Sequence, residues 1–284
     1  MPKKQDVITI TSWDAPDEAG AKILTMPNVP YPTHGLAPRT VLGRKAWDEM
    51  RKKCYADAGR RCEVCGAEGV MHAHELYDIN YETQTVYFNR CVCLCPLCHL
   101  RCIHTGRALT LYKKNSPLMT RSALLEGAEH CFKIIHEYNS THRSSEPLRV
   151  FSAWLDYAKE EDIAEEMERL FEKYEMKFYK VQQKWYDSKH WGNWKLVIDG
   201  VEYPTPYATV EDWQKAMDKN NAKRVPEIQN PFKGGIYNEV ESFLKGDLNG
   251  SIKTNAVGED GKSEKHKGKN PGVDGGQPEL VSEH

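Results

Sequence analysis

A chain of 284 residues, 39% hydrophobic and 28% charged, is long enough for one medium domain or two small ones around a packed core. A mean hydropathy of −0.69 and the absence of any run of 18 apolar residues exclude a membrane-spanning helix. No apolar stretch follows the first lysines, so no secretory signal and a cytoplasmic location are expected. The net charge of −2 hides an asymmetry: residues 39–145 carry 16 Lys and Arg against 11 Asp and Glu, whereas residues 146–245 carry 15 against 19. The basic segment also holds all nine cysteines and seven of the eleven histidines. A local basic excess suits a polyanionic partner.

Residues 1–43 read as an irregular N-terminal arm, because Pro27, Pro30, Pro32 and Pro38 forbid a long helix. Trp47, Met50, Cys54, Tyr55 and Ala58 recur at helical spacing before Gly59, which predicts a helix over Ala46–Ala58. Val70–Leu76 and Thr85–Leu94 are rich in strand-forming residues and flank a polar loop, Asp78–Thr83. A short helix is expected from near His99 to Gly106, and a longer one from Thr120 to Tyr138 on the stripe Leu124, Ala128, Cys131, Ile135. A further helix is expected over Asp162–Lys180, and a hairpin over Lys195–Tyr203 around Asp199-Gly200. Trp185, Trp191 and Trp194 read as a small hydrophobic core beside it. Thr209 and Asp212 cap a last helix through Met217. Residues 246–284 contain eight glycines and no aromatic residue, so a disordered tail is expected. The fold class is α+β, with a cysteine-stapled domain over 44–145 and a helical extension with a small hairpin over 146–245.

The strongest motif is a pair of knuckles, Cys62-x-x-Cys65 and Cys95-x-x-Cys98, with Gly66 and Pro96 beside them. Two such knuckles can set four thiolates tetrahedrally around one structural Zn²⁺, and in a reducing compartment clustered cysteines are more often metal ligands than disulfides. Four cysteines leave no position for water, so chemistry would need a second metal. Cys54 and Cys131 lie on apolar helical faces and read as core. A second constellation lies between and after the knuckles: His72-Ala-His74-Glu75, then His99 and His104. Strand alternation puts His72 and His74 on one face and Glu75 on the other.

Strand, loop, strand, Cys-x-x-Cys-His, helix resembles the HNH or ββα-metal nuclease family in its zinc-ribbon form. The stretch "CEVCG…HAHELYDIN…RCVCLCPLCHLRCIHTGRA" is similar to a phage and bacterial branch carrying His-Glu at the first motif. The flanks "NVPYPTHGLAPRTVLGRKAWDEMRKKCY" and "KWYDSKHWGNWKLVIDG" extend the likeness over residues 25–205. The resemblance implies a ββα-metal core, DNA as partner, and cleavage of phosphodiester bonds as an endonuclease or nickase. It implies His74, His99 and His104 as ligands of a catalytic Mg²⁺ or other divalent cation, and Glu75 as general base. Arg90, Arg101 and Arg107 are candidate phosphate contacts. The family's middle asparagine falls on Arg90, with Asn89 one position early. The family has three residues between its two helical histidines and this chain has four. Five residues turn about 140° on a regular helix, so His104 joins the site only if the helix is bulged or starts late, and Cys102 competes with it. The other function class is a non-catalytic zinc-stapled module binding DNA or a protein in the phage particle or packaging machinery; phage packaging or replication proteins are the expected protein partners.

Overall fold

Turn chemistry and apolar spacing decide most of the elements. In the computed structural model, which describes residues 6–142 and 146–228, the chain is a mixture of helices and sheets. It opens with strands β1 (Val7–Thr9) and β2 (Ser12–Trp13), then helices α1 (Pro38–Val41) and α2 (Arg44–Asp57). Strands β3 (His72–Asn80) and β4 (Thr85–Leu94) lead through a π-helical turn, Leu97–Ile103, into α3 (Thr105–Lys113) and α4 (Arg121–Thr141). Then come β5 (Val150–Phe151), α5 (Ala164–Lys173), β6 (Phe178–Lys180) and α6 (Ser188–Trp191). The hairpin β7 (Lys195–Ile198) and β8 (Val201–Pro204) precedes α7 (Val210–Ile228).

The centre is the antiparallel β3–β4 hairpin, in which His74 lies opposite Val92 and Glu75 opposite Cys91. It is the middle of a five-stranded sheet ordered β2-β3-β4-β7-β8, with β7 parallel to β4. A second sheet, β1-β6-β5, is wholly parallel. Helix α2 covers one face of the central hairpin, where the Cys54 thiol lies near those of Cys91 and Cys93. The π turn packs against the end of β4, and α4 packs on the turn. Leu124, Ala128, Cys131, Phe132 and Ile135 of α4 are buried there, in a core continuous with Trp154, Phe171 and Trp194.

Several elements differ from expectation for identifiable reasons. Strand β3 runs on to Asn80, because β2 pairs with Ile79 and Asn80 and Ile79 is buried. Gly106 does not end a helix: α3 begins at Thr105 and buries Ala108 and Leu109. The helix expected over Asp162–Lys180 stops at Lys173, since Glu175 takes a left-handed φ of 50° and Phe178–Lys180 is drawn between β1 and β5. The arm is not irregular throughout: β1 and β2 join the two sheets, and Trp13, Ile23 and Leu24 are buried. Strand pairing therefore crosses the expected boundaries at both 43/44 and 145/146, through β2–β3 and β4–β7. The hairpin at Asp199-Gly200 forms with φ of 50° and 78° at those residues, the tight turn that dipeptide favours. The tail expected to be disordered lies outside the described residues.

Candidate metal centres

The first knuckle closes because Gly66 adopts φ 73°, letting its N–H reach the Cys62 carbonyl at 2.8 Å while the Cys62 N–H reaches Ala67 O at 2.9 Å. The second knuckle forms where β4 runs into the π turn, with the Cys98 N–H 3.5 Å from Cys95 Sγ. Glu63 ties the two together. Its N–H donates to Cys93 O at 2.8 Å, and its carboxylate accepts from the Cys93 N–H and the Arg90 guanidinium, each at 2.7 Å.

The sulfur atoms of Cys62, Cys65, Cys95 and Cys98 all lie within 4.8 Å of one another, Cys65 and Cys95 at 3.7 Å. A tetrahedral Zn²⁺ with Zn–S bonds of about 2.3 Å needs sulfurs about 3.8 Å apart, so this set could hold zinc. Without a cation these sulfurs share protons: hydrogen bonds from Cys95 and Cys98 push the Cys62 thiol down, the contacts of Cys95 with Cys62 and Cys98 push its own thiol up, and those of Cys98 with Cys102 and Cys62 push the Cys98 thiol up. His130 on α4 stands 3.3 Å from Cys98 Sγ through Nε2, a placement from which an imidazole N–H donates to a metal-bound sulfur. Sequence spacing carried no signal for His130, 32 residues downstream.

The second cluster joins His74, His99 and His104, with one ligand nitrogen from each mutually within 4.8 Å. The four-residue gap between His99 and His104 is absorbed by the π turn: the His104 N–H bonds to His99 O at 3.3 Å, five residues back. That pattern stacks residues five apart, and such turns recur at functional sites. His99 Nε2 and His104 Nε2 are consequently 3.2 Å apart, near the roughly 3.3 Å separation that Zn–N bonds of about 2.05 Å impose. Cys102, the competing ligand, turns instead into the core and donates to Gly127 O at 3.4 Å. The helix α4 can approach that closely only at glycine, since a Cβ on Gly127 would sit 2.5 Å from Arg101 Cβ and 3.0 Å from its carbonyl.

His74 is 4% exposed and neither of its ring nitrogens has a hydrogen-bond partner among the described residues. An unpaired buried polar group costs about 1–3 kcal/mol, which a bound cation relieves. Burial pushes His74 and His99 well below the ordinary imidazole range and His104 down to about 4. All three are then neutral at pH 7, with lone pairs ready for a metal. Within the expected class of divalent cations, an all-nitrogen set suits zinc, copper, iron or nickel better than Mg²⁺, which takes oxygen ligands.

The other expected site residues part company. Glu75 is not with the histidines: it points to the opposite face of β3, near Tyr77 and Cys91, where burial raises its pKa and Arg39 only partly offsets this. Strand alternation turns it away from the side of β3 that carries His74. Arg90 is committed to Glu63, and Arg101 is ion-paired to Glu126 with its stem under Gly127. Asn89 reaches Asp78 at 3.4 Å. Arg107 alone of the three arginines is exposed and without an ion-pair partner among the described residues, one turn beyond His104. The geometry thus offers two adjacent centres, four thiols that could saturate a metal and three imidazoles that could hold one with a position open. No family model, no curated protein and no solved structure matches this chain.

Proposed function

We propose that this chain is an HNH-type, metal-dependent endonuclease or nickase that hydrolyses DNA phosphodiester bonds at His74, His99 and His104. One observation carries the reading: imidazoles from β3, from within the π turn and from the residue that caps it converge, and the buried His74 has no hydrogen-bond partner among the described residues. A hairpin followed by a helix, with the cysteine cluster at its base, fits the ββα-metal arrangement that the sequence resembles. Three protein ligands leave an open position for water or a phosphate oxygen. When bound, a divalent transition metal supplies a Lewis acid and water acidified to a pKa of about 7. The chain's own part is to hold the three rings in register through the π turn, and to offer Arg107 to a phosphate beside them. The cysteine cluster keeps the hairpin and the turn in one rigid unit.

A second reading, a non-catalytic zinc-stapled module that binds DNA or a partner protein in the phage particle or packaging machinery, is favoured by where three of the expected residues lie. Glu75 faces away, and Arg90 and Arg101 are already ion-paired. Supercoiled plasmid incubated with Zn²⁺, Mn²⁺, Ni²⁺ or Mg²⁺ against a metal-free control separates the two. The nuclease reading expects nicked or linear product with a transition metal and none from His104→Ala. DNA binding without cleavage under every metal would establish the second reading instead.

A further inference from the structure

His99 is addressed through both ring nitrogens. Its Nε2 faces His104 Nε2 at 3.2 Å, and its Nδ1 faces Nδ1 of His72 at 2.9 Å. The His72 and His99 rings stand almost perpendicular, at 89°, with centroids 4.9 Å apart. We propose that His72 is a positioning residue for the three-histidine centre: it accepts the Nδ1–H of His99 and so presents His99 Nε2 to the metal. The inference rests on the reading of that cluster as a metal site.

The argument is one of valence and direction. A neutral imidazole has one donor and one acceptor nitrogen. If the lone pair of His99 Nε2 goes to the cation shared with His74 and His104, the proton must be on Nδ1. The only role left to His72 Nδ1 is acceptor, so His72 carries its proton on Nε2. The two nitrogens of one imidazole point away from each other, so a cation on His99 Nε2 is out of reach of the His72 nitrogen that meets His99 Nδ1. His72 therefore stands outside the coordination shell, although it shares a strand face with His74. Alternation along β3 is what makes the pair useful. With one residue between them, His74 enters the shell and His72 braces the ligand that comes from the facing turn. Ligand histidines fixed in this way commonly lose about 10- to 100-fold in metal affinity when the brace is removed.

The test uses the full chain with zinc in the cysteine cluster and Co²⁺ titrated into the second centre. His72→Ala should weaken Co²⁺ binding by about 10- to 100-fold. The visible Co²⁺ absorption band at saturation should keep its position and intensity, because no ligand is lost. His72→Asn, whose amide oxygen can stand near the former Nδ1, should recover most of the affinity. Unchanged affinity in His72→Ala overturns the proposal, as does failure of His72→Asn to recover affinity in a folded, zinc-loaded protein. A changed absorption band also overturns it, since it would make His72 a ligand. A wild-type chain that takes up no second metal, or a His74→Ala variant that binds Co²⁺ as well as wild type, would instead sink the underlying metal reading.

Discussion

Cys98 and His99 are consecutive residues, yet they turn into different clusters, and the two clusters behave by opposite electrostatics. Thiolates are anions. Four of them crowded together, with Cys65 and Cys95 sulfurs 3.7 Å apart, are compatible only with a cation or with shared protons. The imidazoles are neutral, held so by burial, and can stand side by side without a metal at little charge cost. Both clusters join two chain segments, the cysteines linking the loop after α2 to the end of β4 and the histidines linking β3 to the π turn, so it is charge that separates them. One centre should therefore be part of folding, and the other should load and unload on a folded frame.

The largest expected effect tests that contrast directly. Cys62→Ser or Cys98→Ser should lose the zinc and unfold the region around the hairpin. Apparent zinc-binding energies in small metal-folded modules reach about 10–16 kcal/mol and act as folding energy there. His104→Ala should keep one zinc per chain and a native circular dichroism spectrum. Metal analysis with thermal melts reads both, and equal damage from the two classes of variant would break the distinction.

Next in size is the contact that sets the π turn. In Gly127→Ala the new Cβ meets Arg101 Cβ at 2.5 Å, and backbone must shift to admit it. Overpacking of this kind costs about 1–3 kcal/mol. Because the displaced residue lies between His99 and His104, Co²⁺ affinity at the histidine centre should fall along with the melting temperature. A loss of stability with unaltered Co²⁺ affinity would show the turn to be independent of α4.

The arginines sharpen the same comparison on the DNA side. Arg90→Ala removes a charged partner of Glu63, worth about 1.5–3 kcal/mol for a partly buried hydrogen bond to a charge, and should leave DNA affinity unchanged. Arg107→Ala should leave stability unchanged and lower the salt-dependence slope of DNA binding by about 1. Filter binding at several salt concentrations beside denaturant titration would reveal an exchange of these two outcomes.

The smallest effect concerns the far face of β3. The folded-state pKa of Glu75 is raised by burial, so its contribution is fully present below the unfolded value of about 4.3 and is lost as pH rises through the folded value. Glu75→Gln removes that penalty. It should raise the melting temperature slightly at pH 7, flatten the pH dependence of stability above about 4.3, and leave plasmid cleavage intact. A strong loss of cleavage would return Glu75 to the chemistry.

The residues themselves determined the local features: two knuckles with two-residue gaps, a capped amphipathic α4 behind Thr120, and the Asp199-Gly200 hairpin. Each depends on contacts within a few positions. Alternation along β3 also foretold that Glu75 would face away from His74, although the resemblance had assigned it the base. Only the tertiary structure decided the rest. The parallel sheet joins Val7–Thr9 to Phe178–Lys180, and strands of three residues are too short to carry a hydrophobic period. The partners of Arg90 and Arg101 come from knuckle and helix surfaces that meet only on folding. Whether His104 could join His99 hinged on one extra residue in a helical turn. A regular helix would have swung it away, and the packing of Cys102 into the core against Gly127 accompanies the wider turn that brings it back.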